Sequence, residues 1–421
     1  MSTWIQKGSP DLEISLAETE QLMTELVRQL PTPKKKALII PPDFSRFHSG
    51  AGEISACLYR LLSASAHVDL LPALGTHRPM TPVEMNTMFP GVPHACIKVH
   101  DWQKGLVQLG EIPGQRLKEL SEGKVNYAVK IEIDRIIDKG GYDTILSCGQ
   151  IVPHEVIGMA GGNKNLLVGC GGPDIINKSH FLGGVCNMET IMGHIESPVR
   201  SLFNEAEDRF FKHLPLHYIL TVRSKNAAGA LVTRGPFAGN DRDSYLKAAR
   251  LSQQVNVIKV PPLKKVVVWL DPGEFKSTWL GNKAIYRTRM AIATGGELLI
   301  LAPGLVEFGE AEVNERMIGK YGYHGTPFTL KAVAENQELR DSLGAAAHLI
   351  HGSSEGRFTI TYASGGLTRS EIEAVGFQFT DLKAAMTRYN PERLKDGFNT
   401  MPDGEQIFFI SNPALGLWQR E

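Results

Sequence analysis

The chain has 421 residues, enough for two cores rather than one, so two domains are expected and a small staple-dependent scaffold is excluded. Lys plus Arg and Asp plus Glu number 45 each, a formal net charge of zero. No overall field selects nucleic acid or an anionic membrane, and specificity must reside in a compact site.

The five cysteines, Cys57, Cys96, Cys148, Cys170 and Cys186, are scattered and form no C-x-x-C pair, which argues against a disulfide framework or a zinc ribbon. The opening MSTWIQKGSPDLEISL has neither a basic region nor an apolar core of a leader, and no stretch reaches the roughly 18 apolar residues of a membrane helix. The expectation is a soluble, cytoplasmic protein.

In chain order, ALII (37–40) reads as a buried strand closed by Pro41 and Pro42. Glu53 to Leu62 follows as a helix, with Ile54, Leu58, Leu61 and Leu62 at helical spacing, and HVDLLPALG (67–75) is a second strand running into a loop. Thr81, Pro82 and Glu84 form the pattern of a capping box and start a short helix. DTILSCG (143–149) is the next buried strand, and a glycine-rich stretch from Gly158 to Gly172 succeeds it. VPPLKK near residue 261 is a junction, after which VVVWLD (266–271) opens a new strand series. KAIYRTRMAIATGG (283–296) reads as a helix ended by Gly295, then ELLILAPG (297–304), FTITYASG (358–365) and IFFISNP (407–413) as strands. The alternation predicts an α/β fold in two domains, residues 1–262 and 263–421, the N-terminal one larger, with a cleft between them.

Chemistry-bearing residues gather after predicted strands, where α/β folds place their sites. They are DFSR (Asp43–Arg46), GTHR (Gly75–Arg78), the pair Pro153 and His154 with Lys164 beyond, and Ser179 with His180. Arg46 could hold a carboxylate through two parallel hydrogen bonds, or pair locally with Asp43. His77 could exchange a proton with a hydroxyl, or its loop could merely cap the next helix. In IVPHEVIGMAGGNKNLLVGCGGP (151–173) the glycines permit close approach to a flat or phosphorylated ligand, yet the segment is neither a Walker loop nor a G-x-G-x-x-G fingerprint. Lys164 there could be a covalent anchor or a solvated charge. His180 could offer an imidazole to a metal, but no cysteine or carboxylate stands at metal spacing beside it, so most ligands would have to come from a cofactor. Pro215 between His213 and His217 spoils a helical metal pair and leaves both structural; His348 and His351 read as lying on a helix surface or at its end.

Together, DFSR, GTHR, PH followed by GxxGGxK, and a downstream SH resemble the nickel-pincer lactate racemase family, including the spacings 164 − 154 = 10 and 180 − 164 = 16. The resemblance covers most of the N-terminal half and weakens beyond residue 265. It implies a pyridinium-3-thioamide-5-thiocarboxylic acid mononucleotide carrying nickel, covalently joined to Lys164, with His180 the one protein ligand to the metal. Gly161, Gly162, Gly171 and Gly172 would let the backbone lie against this cofactor, and Asp43 would position neighbouring groups. The implied reaction is racemisation or epimerisation of a 2-hydroxy acid by proton-coupled hydride transfer, with His77 and His154 as the two flanking bases. Arg46 would orient the substrate carboxylate, and Lys283, in WLGNKA (279–284), would make a second contact. Leu280 stands where lactate-acting members carry glutamine, which turns the expectation toward a larger hydroxy acid or a sugar acid. The expected partners are that small acid and the cofactor-making proteins that load the chain, with no nucleic acid or membrane. The competing readings are a non-catalytic carrier of the same cofactor and a cofactor-independent metal hydrolase, the second of which needs a visible carboxylate and histidine cluster.

Overall fold

The computed structural model describes residues 3–31 and 34–421. The chain forms two units, each with its own sheet: one runs to Ser179 and resumes from Ile191 to Asn256, the other comprises His180–Thr190 and Val257–Glu421. Both alternate helix and strand, so the α/β class expected from the sequence is the one found.

The first unit contains β1 (Thr3–Gln6), β2 (Lys36–Ile40), β3 (His67–Leu70), β4 (Leu106–Ile112), β5 (Val129–Asp134), β6 (Thr144–Gln150), β7 (Pro153–His154), β8 (Gly158–Met159), β9 (Leu216–Lys225) and β10 (Leu231–Gly239). Six of these make one sheet in the order β1-β10-β9-β6-β2-β3, in which β9, β6, β2 and β3 are parallel and β10 alone runs against its neighbours β9 and β1. Strands covered on both faces read as continuous apolar runs, which is why ALII and TILSC are legible as strands. The helix Leu16–Gln29, started by a Ser15/Glu18 capping box, and the helix Ala51–Leu62 supply Met23, Leu26, Ile54 and Leu58 to the core against Ile39 and Leu146. The Thr81/Glu84 capping box forms as expected and starts the helix Pro82–Met88.

The order of this sheet fixes where a ligand can enter. From β2 the chain moves to β3 on one side, then returns to place β6 on the other. The topology therefore switches direction between β2 and β6, the position at which open α/β sheets place a ligand crevice.

The second unit contains β11 (Val257–Val260), β12 (Leu263–Trp269), β13 (Ile292–Ala302), β14 (Thr359–Ser364), β15 (Gln378–Phe379), β16 (Gly397–Thr400), β17 (Gln406–Ile410) and β18 (Leu417–Arg420). Its main sheet has the order β15-β14-β13-β12-β17-β16, parallel except for β16. Three sequence expectations change here. After the earlier segment His180–Thr190, the chain returns to the second unit at Val257, ahead of the junction expected at residue 263, and β11 pairs there with β18. The helix expected over 283–296 stops after Thr288: β-branched Ile292 and Thr294 take an extended conformation as β13 begins, and Gly295, at φ +76°, lies within that strand rather than capping a helix. His348 and His351 do end a helix, Leu343–His351, but both are buried, with the His348 ring 4.4 Å from that of Trp279 and its Nε2 2.9 Å from the Tyr323 hydroxyl.

His213 and His217 prove different from each other. His213 is exposed and pairs with Asp138 at 2.6 Å, whereas His217 is buried in β9 against Trp4, ring centroids 4.7 Å apart. Burial drives the His217 imidazole down to about 4. Its folded pKa is depressed, so the stability it contributes is full above the ordinary histidine range and is lost as pH falls through about 6.5 toward 4. His217→Phe should remove roughly 3 kcal/mol of acid sensitivity across that window. Urea melts of the two proteins at pH 7 and pH 4.5 check this, and an unchanged difference between the two pH values would disprove it.

Candidate active site

The turn that follows β2 carries Asp43, Ser45 and Arg46, the last two in the short 3-10 segment Phe44–Ser49. Asp43 is buried and receives two short hydrogen bonds, from His77 Nδ1 at 2.6 Å and from the Ser45 hydroxyl at 2.5 Å. Burial alone would raise its carboxyl. The His77 hydrogen bond and charge, with the Ser45 hydroxyl and the Arg46 guanidinium, outweigh this and hold it below the usual carboxylate range. An ionised Asp43 holds a proton of His77 on Nδ1, so the neutral form of the ring has its lone pair at Nε2, the arrangement of an oriented general base. Arg46 donates to the carbonyl and the hydroxyl of Ser45, at 3.1 and 3.2 Å.

His154 is held the other way round. Its Nδ1 accepts the backbone N–H of Val156 at 3.2 Å, which assigns its proton to Nε2; the Glu155 carboxylate waits 3.6 Å from the same Nδ1. Shifting the proton to Nδ1 would exchange the Val156 bond for Glu155 and expose a lone pair at Nε2. One imidazole is thus set as a base and the other as a donor that can change over.

Lys164 opens a π-helical turn, Asn165–Gly169, after the positive-φ residues Gly161 and Gly162. Wide turns of this kind recur at functional sites. Burial of the ammonium lowers the amine to about 8; Arg46 and Arg200 push the same way, and the carboxylates of Glu155 and Asp43 resist. The residues on either side of the lysine are pinned. Asn163 accepts from Arg200 at 2.6 Å and donates to Asn204 and Glu207, each at 2.9 Å. Asn165 donates to Ile40 O, Ser147 Oγ and Cys148 O. Arg200, fully buried, also donates to Met159 O at 2.6 Å and lies 4.2 Å over the Tyr245 ring. The far end of the turn reaches the His77 loop: Gly169 O accepts Gly75 N–H at 2.8 Å.

The structure therefore brings Asp43, Arg46, His77, Glu155 and Lys164 into mutual electrostatic range at the carboxyl ends of β2, β3 and β6. Beside them, at the buried Gly149 near the end of β6, an added Cβ would meet no atom within 4 Å, so the crevice has an open wall at that point. An amine that gives up its proton near pH 8 and an open backbone wall suit a flat group joined to the lysine through an acyl-type bond. Gly171 and Gly172 do not contribute such space. A Cβ on Gly171 would come within 1.9 Å of Leu167 O, and one on Gly172 within 2.7 Å of Glu132 Oε2, so both are glycine to pack the chain against itself. Asn165, Arg200 and Glu155 were not singled out from the sequence, since an amide, a lone cation or a carboxylate becomes informative only once its partners are known.

The remaining expected residues lie in the second unit. His180 is half-buried on the helix Pro173–Val185, in the stretch whose Gly184 packs against Ile350 and Ala347; nearby, Glu189 pairs with Arg289 at 3.0 Å and Arg357 at 2.5 Å. Lys283 is buried, its ammonium 5.2 Å above the Phe275 ring, and Leu280 is partly buried on the short helix Thr278–Gly281. Among the described residues, no group of three or more His, Cys, Asp or Glu could hold a metal ion. No helix among them is long and apolar enough to cross a membrane.

The sheet order defines an α/β protein whose topological switch point is flanked by the loops that carry Asp43, His77, His154 and Lys164. Residues 6–193 match the family model of the lactate racemase N-terminal domain, so this part of the chain is homologous to that domain. A crystal structure of a protein from Thermotoga maritima is similar with a TM-score of 0.83, at 20% identity over 99% of this chain and 100% of that one. The lactate racemase apoprotein from Thermoanaerobacterium thermosaccharolyticum is similar with a TM-score of 0.69, at 16% identity over 99% and 100%. At these identities the likeness establishes a shared fold. A search of curated proteins finds no match.

An amine with a pKa of about 8 is roughly one-tenth neutral at pH 7, against less than about one in a thousand for an ordinary lysine. Acetylation of the apoprotein, followed peptide by peptide in a mass spectrometer, should reach half its maximal rate at Lys164 near pH 8, while solvated lysines keep accelerating toward about pH 10.4. Coincident profiles would show that the amine is not desolvated.

Proposed function

We propose that this protein is a racemase or epimerase that inverts the C2 carbinol of a 2-hydroxy acid, using a nickel-pincer nucleotide tethered to Lys164. The observation that carries the reading is the pairing of an aspartate-oriented His77 with a desolvated lysine amine on turns joined by the Gly75–Gly169 hydrogen bond. The first feature suits removal of a hydroxyl proton, the second acylation at neutral pH.

In this reading Lys164 is the tether and His180 the single protein ligand to nickel. What the nucleotide supplies when bound is a reversible acceptor for the carbinol hydride. The chain's own groups handle the proton and the carboxylate. Arg46 and Lys283 bind the carboxylate. His77 Nε2 takes the hydroxyl proton from one enantiomer as Asp43, at 2.6 Å, stabilises the resulting imidazolium. For the other enantiomer His154 must present a lone pair at Nε2, which the move of its proton toward Glu155 provides. Leu280, an apolar side chain at a substrate-facing position of the family, favours an acid larger than lactate.

Loading by cofactor-making proteins follows from the covalent bond, and five cysteines with no disulfide among the described residues fit the reducing cytoplasm as the compartment. Co-expression with such proteins should give one nickel per chain and a mass increment at Lys164, both absent in Lys164→Ala. An active protein with neither would exclude this mechanism. Incubated with a panel of 2-hydroxy acids, the loaded protein should scramble one of them; His77→Ala should lower kcat by about 100-fold or more with nickel retained. Loading without turnover of any acid would identify a carrier instead.

A further inference from the structure

Strand β2 ends in two prolines, and this creates a deficit that another residue fills. The last register pair between β2 and β6 is Ile40 with Ser147. Beyond it Pro41 and Pro42 have no N–H to offer, so β6 carbonyls past that point lose their backbone donor on this side. A buried carbonyl left without a donor costs about 1–3 kcal/mol. The side-chain amide of Asn165 takes that place: Nδ2 lies 2.9 Å from Ile40 O, 3.2 Å from Cys148 O and 3.2 Å from Ser147 Oγ. One amide thus bridges both strand ends, and it belongs to the residue directly after Lys164.

We propose that Asn165 is the positioning residue of the lysine, a surrogate rung between β2 and β6 that clamps the Lys164 turn into the mouth of the crevice. The clamp explains how a turn preceded by two positive-φ glycines keeps its lysine in one place. Gly161 and Gly162 give the backbone its shape, and Gly161 O accepts from Arg200 and Gly162 O from the Asn165 N–H, but neither reaches the ends of β2 and β6 as the Asn165 side chain does. The role assigned to Asn165 rests on reading Lys164 as the functional amine.

The test uses the whole apoprotein and acetylation of Lys164 against pH. In Asn165→Ala and the near-isosteric Asn165→Leu, the half-maximal point at Lys164 should move up by about one pH unit or more, about a tenfold loss of reactivity at pH 7, while the protein still melts cooperatively. A lower melting temperature with the Lys164 profile unmoved would make Asn165 a structural residue only and overturn the proposal. Should neither variant fold, Ser147→Ala removes one of the three acceptors, and hydrogen exchange reads the result. Faster exchange confined to 163–170 supports the clamp, and unchanged exchange there overturns it. The experiment needs no cofactor. A negative result leaves the tether assignment standing, whereas failure of the tether assignment would appear as absent nickel and absent mass increment in the loading experiment.

Discussion

The chemistry of the first unit depends on one close backbone approach, the 2.8 Å hydrogen bond from Gly75 N–H to Gly169 C=O. It joins the loop that presents His77 to the turn that presents Lys164. Residue 169 has to be glycine for this to form: a Cβ there would stand 2.5 Å from the Cβ of Ala73, well inside van der Waals contact. A methyl group would push the two turns apart, and displacements of about 1 Å between reacting groups can cost on the order of 100-fold in rate. Sheet order brings the loops to one edge; this contact and the Asn165 amide then set their spacing.

Charge is the second constraint. The site holds Arg46, Arg200 and Lys164 against Asp43 and Glu155, and the cations outweigh the anions. An ionised carboxylate can survive in such company, and Asp43 does, despite its burial. Lys164 yields its proton most readily among the cations, first because it is buried and then because Arg46 and Arg200 repel its charge, guanidinium being the far stronger base. The same excess of positive charge would attract the carboxylate of an incoming acid. Electrostatics thus makes the amine reactive and the crevice receptive through one arrangement.

How much of this was readable in the sequence depended on range. Buried parallel strands are continuous apolar runs, so ALII and TILSC announced themselves and, with them, the loops bearing Asp43, His77 and His154. The resemblance placed Lys164 and His180. Long-range partners stayed invisible: nothing local marks Asn165 as the answer to Pro41 and Pro42, more than a hundred residues earlier, with Asn165 and Ile40 125 apart. Arg200 reads as a surface cation until Asn163, Met159 and Tyr245 surround it. The helix expected over 283–296 failed for a related reason. Its apolar spacing suits a helix, but the pairing of β13 with β12 and β14 overrides local preference from Ile292 onward. His348 and His351 do lie at the end of a helix, as one of the two expectations had it, but a histidine on a helix gives no sign of which face is covered, and both are buried.

Desolvating Lys164 has a thermodynamic consequence as well as a kinetic one. Its folded pKa of about 8 lies below the ordinary 10.5, so below pH 8 the native state carries the full penalty of a charged, poorly solvated amine. That penalty is on the order of 3 kcal/mol, a large share of the stability of a typical domain. An acyl bond to the nitrogen abolishes the charge and with it the penalty. Acylation of this amine and folding are therefore linked in sign: a neutral acyl group there would relieve the native chain of that penalty, apart from any contact the group makes. The apoprotein stores this strain in the same place that makes the lysine nucleophilic, so the tendency of the site to react and its gain from having reacted have one physical origin.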